Sequence, residues 1–182
     1  MVMTMDMTLA EVVADCWRRL GRGAADPVAP FRFPVLATQG LAQAGAPIPA
    51  ARTIVLRAAD PARRELVLHS DRRAMKIAEI AAAPRVTLVF QDPVDRIQLR
   101  VVANASVHTD DARADLAWAA CSPSSRRLYR ARRGPGATID GPFDWDDVDA
   151  PEDEGRGSFA AVVCAPLSLD WLELCDPIHR RA

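Results

Sequence analysis

The chain has 182 residues but only one lysine, one tyrosine and three histidines. His69, His108 and His179 are not spaced for a shared metal site. The four cysteines, at 16, 121, 164 and 175, lie far apart with no CxxC, so neither a zinc ribbon nor a thioredoxin-like motif is present. There is no GxSxG, Walker loop, HExxH or glycine-rich dinucleotide loop. No apolar run is long enough to span a bilayer. The formal net charge of −1 makes no general case for nucleic acid or a membrane as partner. The start, Met1-Val-Met-Thr-Met-Asp6, lacks the basic region and long apolar run of a secretory signal, so a cytoplasmic setting with reduced thiols is expected. No internal repeat is found. Hydrophobic residues make up 49%, enough for a core, and the length fits one domain over 1–182.

Arginine is what the chain has in abundance. All of its 23 basic residues except Lys76 are arginine. Two stretches concentrate this charge: Ala51-Arg-Thr-Ile-Val-Leu-Arg57, and the turn His69-Ser-Asp-Arg-Arg-Ala-Met-Lys76. The first has the β-branched and aliphatic centre of a strand. The second leads from a strand into a helix that carries Lys76. Guanidinium forks, a lysine point charge and a helix N-terminus are together a means of holding a phosphate. A solvated charged face is the plain alternative for each arginine taken alone.

Elsewhere the pattern alternates helix and strand irregularly. Thr8-x-x-Glu11 is a capping box that opens an amphipathic helix of about 13 residues, closed by Gly21, within an N-terminal unit 1–22. Strands are expected at Phe31–Thr38, on an edge because of Pro34, at 50–58 and 64–70 as a hairpin, at Arg85–Gln91 and at Arg96–Val107. Asp71 is expected to cap a helix over Arg73–Ala82. Thr109 or Asp110 caps another through Ala120, and Ser122–Arg133 reads as a basic helix. The segment 140–157 is an acidic loop, and two strands follow, Phe159–Ala165 and Leu167–Leu174. The sum is mainly β with peripheral helices (α+β), a β-barrel rather than a parallel α/β sheet. Trp17 and Trp118 read as core, and nothing places Tyr129 in a site. No side chain stands out as catalytic, so a cofactor with its own chemistry fits better.

Arg52-Thr-Ile-Val-Leu-Arg57, the Ser70-Asp71 turn, Lys76, Pro84-Arg-Val and Arg96-x-Gln98-x-Arg100 resemble the FMN-binding split-barrel proteins related to pyridoxamine 5′-phosphate oxidase. Trp171, His179 and Arg181 fall at the spacing of that family's C-terminal tryptophan, histidine and arginine. The resemblance implies an antiparallel, Greek-key split β-barrel. It also implies a homodimer with FMN at the interface, and flavin-dependent oxidation or reduction of a small molecule.

Carried over by position, Arg52 and Lys76 would bind the FMN phosphate. The backbone from Thr53 through Ile54 and Val55 to Leu56 would run beside the flavin ring. His69 and Ser70 would stand next to the ribityl phosphate. Gln98 would bond the flavin from a neighbouring strand, and Trp171 and Arg181 would complete the site. Arg57 and His179 would meet substrate.

The sequence also departs from the family. Arg57 replaces a lysine. Met75 stands where an arginine is common, with Arg73 or Arg72 as its replacement. Pro177 stands where oxidases have a substrate-binding arginine, and the chain ends before an expected last strand. These departures weaken pyridoxamine phosphate as substrate more than FMN as ligand. The rival readings are a split-barrel reductase using deazaflavin or NAD(P)H, and a flavin- or haem-binding module without turnover.

Overall fold

The computed structural model of the chain describes residues 7–40, 46, 48–138, 141, 154–175 and 179–182. Most of the acidic loop, and Pro177, lie outside these residues.

The strands are β1 (Val35–Gln39), β2 (Pro49–Thr53), β3 (Leu56–Asp60), β4 (Glu65–Asp71), β5 (Arg85–Asp92), β6 (Ile97–His108), β7 (Phe159–Glu173) and β8 (Arg180–Arg181). They form one antiparallel sheet in the order β2-β1-β5-β6-β7-β4-β3, with β8 also on β7. The expected single strand over 50–58 is therefore two strands, at opposite ends of the path. Only Ile54 and Val55 separate them, a span of at most about 10 Å. Laid flat, seven strands would hold those ends roughly 29 Å apart. The sheet must curl until they meet, and it closes through covalent chain instead of a hydrogen-bonded ladder. That is the split barrel. Ile54 and Leu56 are buried at the seam, and the Ile54 N–H bonds Pro34 O at 3.0 Å.

Two hairpins share one turn design. Asp60-Pro-Ala-Arg-Arg64 and Asp92-Pro-Val-Asp-Arg96 each begin with an aspartate whose carboxylate accepts two N–H bonds from within the turn. Each ends on an arginine at φ near +55°. The aspartate closes an Asx turn, the proline presets φ, and the left-handed arginine bears a strain of about 1 kcal/mol. The second turn is tied to α1 (Leu9–Ala25) by Arg19, which reaches Asp92 at 2.9 Å and Asp95 at 2.8 Å.

The helix α1 starts at the expected capping box but runs past Gly21 to an Asp26 cap. A Cβ at Gly21 would meet nothing, so that glycine has no reason to end the helix. At Gly23 a Cβ would come 2.7 Å from the Phe31 backbone, so this glycine lets the next segment pack against the helix. Phe31 lies in a single 3-10 turn, Pro30–Arg32, and β1 begins only after Pro34. β1 is flanked by β2 and β5, so the expected edge position is corrected.

The two expected C-terminal strands are one, β7, with a register shift beside Pro166. β8 returns along its far end, where an end without a further strand was expected. The basic helix shortens to α4 (Pro123–Arg127), behind α3 (Ala112–Ala119), whose N-cap is Asp111.

The main core fills the barrel with residues such as Leu36, Leu88, Leu99, Val101 and Trp171. A smaller core of Cys121, Tyr129, Phe159 and Ala161 packs α3 and the chain after α4 onto β7. Tyr129 and Phe159 meet edge to face at 5.1 Å, so the only tyrosine is a packing residue. Among the described residues no helix is long and apolar enough to cross a membrane.

Candidate functional site

Arg52 pairs in register with Leu36, so its side chain lies on the face of the sheet that carries the core. There it meets α2 (Met75–Ala82). Its guanidinium donates to Glu79 Oε2 at 2.7 Å and to the Thr38 hydroxyl. The Thr38 hydroxyl also donates to Glu79 Oε2, at 2.6 Å. Lys76 stands one turn before Glu79. Burial lowers its pKa, and the nearby Arg52 charge lowers it further, against the pull of Asp71 and Glu79. The expected Asp71 cap is not made. Asp71 instead accepts from the Arg73 N–H at 2.8 Å, and α2 starts after Ala74 with no side-chain cap. The uncapped N-terminus of α2 therefore lies beside two cations, of which Arg52 is held by Glu79.

Arg57 begins a second group, on the wall of a cavity of about 650 Å³ between β3, β4, β7 and α3. No hydrogen bond or ion pair of Arg57 is found among the described residues, and its Nε is buried without a partner. The one carboxylate on the wall, Glu65, is paired with Arg113 at 2.9 Å. Arg32, also on the wall, is taken by carbonyls, Ala24 O at 2.5 Å and Leu56 O at 3.1 Å. Among the described residues the Arg57 charge is thus uncompensated.

His69 faces Arg57 in the same cavity. Its Nδ1 is 3.4 Å from Cys121 Sγ, and its ring meets Phe159 edge-on at 4.9 Å. Burial pushes the imidazole pKa down to about 4, with Arg57 adding to the effect, so His69 is neutral at physiological pH. Val67 and Val163 add apolar surface to the same wall.

A family model for pyridoxamine 5′-phosphate oxidase matches residues 25–144, which include both groups. The chain belongs to the pyridoxamine 5′-phosphate oxidase family. Its structure is similar to that of a pyridoxamine 5′-phosphate oxidase-related, FMN-binding protein from Nostoc punctiforme. The TM-score is 0.69 at 21% identity, covering 97% of this chain and 91% of that one. It is equally similar in shape to PhzG from Burkholderia lata in complex with tetrahydrophenazine-1-carboxylic acid, with a TM-score of 0.69 at 15% identity, covering 98% and 91%. At these identities the likeness shows the fold. No curated protein matches the chain.

The remaining residues that the family resemblance singled out fall elsewhere. Ser70 is buried on β4 and donates to Asp71 O at 3.0 Å. Thr53 is exposed at the end of β2, while Val55 is half-buried in the seam. The Arg73 guanidinium holds Asp71 and the carbonyls of Ala131 and Arg132, tying the chain after α4 to the start of α2. Gln98 sits on β6 between Gln91 and Leu172.

Trp171 is 5% exposed inside the main core, and its Nε1 has no hydrogen-bond partner among the described residues. Arg181 is exposed and grips Asp170 through two bonds of 2.9 Å. His179 is exposed. Ten residues of β7 separate Trp171 from Ala161 on the cavity wall, roughly 30 Å of strand.

Three further residues of interest were not singled out in the sequence. Glu79 and Cys121 bond the functional groups directly, and Thr38 completes the Arg52 cluster. Glu79 had one legible signal, three residues after the only lysine on a short helix. A separate chain of bonds links Ser106 to His108 at 2.9 Å and His108 to Asp111 at 2.7 Å. Its order is nucleophile, base, carboxylate, but Ser106 is exposed outside the cavity. The second Asp111 oxygen accepts the Ala114 N–H, so the arrangement ties the end of β6 to α3.

Proposed function

We propose that this chain binds FMN at the interface of a homodimer and performs flavin-dependent redox chemistry on a small anionic molecule in the cytoplasm. The observation that carries the reading is the surplus of fixed positive charge in half-buried places. Arg52 is paired with Glu79, Lys76 lies in the field of Asp71 and Glu79 with no ion pair of its own among the described residues, and Arg57 has no ion pair among them either. A half-buried guanidinium without a counter-charge costs about 1–3 kcal/mol, a cost that an anionic ligand would remove.

The residues fit FMN. Arg52, Lys76 and the uncapped N–H groups of α2 would hold its phosphate. Arg52 and Arg57 lie five residues apart, at most about 18 Å, so one elongated ligand reaches both groups. When bound, FMN would supply the acceptance and donation of a hydride or electrons. Arg57 would orient the anionic end of the substrate. Neutral His69 would offer a hydrogen bond without adding charge, and the apolar wall would exclude water.

The homodimer is carried over from the family resemblance. Arg181 lies at the far end of β7 from Ala161 and Val163 on the wall of the Arg57 cavity, and in a dimer a second copy would bring its own Arg181 to that wall. Cys16, Cys121 and Cys164 form no disulfide among the described residues, in agreement with a reducing compartment.

The test is the visible absorption spectrum of the purified protein, repeated after addition of FMN and removal of the excess, together with its sedimentation mass. We expect a flavin band with resolved shoulders, one FMN per chain, and a dimer mass. A colourless protein that retains no FMN overturns the flavin assignment, and a monomer that retains FMN overturns the interface.

A further inference from the structure

Glu79 is the most deeply buried carboxylate among the described residues, 4% exposed. With Thr38 and Arg52 it forms a closed ring in which each group bonds the other two. Stability alone gives a poor reason for such a ring, because a buried ion pair is commonly replaced by apolar groups without loss. Its geometric effect is specific. Thr38 takes one N–H from NH1 of Arg52 and Glu79 takes one from NH2, and three of the five guanidinium N–H groups have no partner among the described residues. A long side chain that would otherwise rotate is held in one orientation beside Lys76 and the α2 N-terminus.

We propose that Glu79 and Thr38 are positioning residues that lock Arg52 for a phosphate monoester, so that the ring sets the preference for a phosphorylated over an unphosphorylated ligand. The identity of that ligand rests on the FMN reading above. The proposal has a sign that charge alone does not share. As a bare charge, Glu79 repels a phosphate, and its neutralisation would tighten binding. As the anchor of Arg52, its neutralisation loosens binding.

The experiment compares FMN and riboflavin affinity by fluorescence titration for the wild-type protein, Glu79→Gln and Thr38→Val. Both substitutions keep side-chain volume, and melting temperatures of the flavin-free proteins check folding. We expect the FMN-to-riboflavin preference to fall about tenfold or more in Glu79→Gln and by a smaller factor in Thr38→Val, the usual scale for removing a group that orients a ligand-binding side chain. Riboflavin affinity should stay within about twofold.

Equal losses for both flavins would mean a merely structural ring, and tighter FMN binding by Glu79→Gln would mean a charge effect. Either result overturns the proposal. If the wild-type protein binds no FMN, the flavin reading fails separately, and phosphorus NMR titration with inorganic phosphate decides the ring. A wild-type response lost in Glu79→Gln supports it, and equal responses, or none in either protein, overturn it.

Discussion

Arg52 and Arg57 leave the same strand-like stretch five residues apart, yet their surroundings are opposite. Arg52 is held by a buried carboxylate and a hydroxyl. Among the described residues Arg57 has no counter-ion, and it lies against a neutral imidazole and a thiol in an open cavity. A compensated cation is stable and oriented before any ligand arrives, which suits a resident cofactor. An uncompensated one is held at a cost by the surrounding fold, which suits a ligand that comes and goes. Charge count alone makes the two arginines equivalent, and only their partners separate them.

The strongest way to break this comparison is to remove the compensated group. Arg52→Ala with Lys76→Ala should weaken FMN binding by about 4 kcal/mol, roughly a thousandfold, from two lost charge-assisted contacts. Calorimetric titration checks this, and stoichiometric retention of FMN by the double variant would remove the phosphate assignment.

Acid should find the uncompensated group next. Folding lowers the His69 pKa from an ordinary 6.5 to about 4, so the unfolded chain takes up the proton first. Stability from this residue is complete above about pH 6.5 and is lost by up to ~3 kcal/mol as pH falls to 4. Urea midpoints across that range should show the decline, and His69→Gln should flatten it. A slope unchanged in the variant would place the titration elsewhere.

Smaller and opposite in sign, Arg57→Leu should stabilise the ligand-free protein by about 1 kcal/mol, because it removes a half-buried charge with no partner. It should also leave FMN retention intact. A lower urea midpoint would mean that Arg57 is compensated after all.

The smallest effect is expected at the far end of β7, where Arg181→Ala should leave the melting temperature of the flavin-free protein unchanged, since its pair with Asp170 is exposed. The same variant should lower FMN retention. A fall in melting temperature without any change in retention would make Arg181 a structural residue only.

Much of the fold was legible because its signals are local. The capping box at Thr8, the alternation along β6, and the Asp-Pro turns at 60 and 92 each act within a few residues. The break at Ile54–Val55 was not legible, because the run of apolar residues there reads as one strand. Its division follows from the two ends of the sheet meeting. In the site, Arg52, Arg57, His69 and Lys76 were marked by residue type and spacing. Arg73 was marked in the same way, but its guanidinium is held by carbonyls 58 and 59 residues away. Thr38 and Glu79 passed as an ordinary strand end and helix position, since their importance lies in a contact across 41 residues.

By itself the sequence determined the antiparallel β character, the turn chemistry and the supply of cations, all set by short-range backbone preference and side-chain type. Tertiary structure alone decided which cation has a counter-charge. Curling the sheet brings α2 and its Glu79 over β1 and β2 while α3 encloses Arg57 with no free carboxylate, and desolvation turns that difference of address into a difference of chemistry.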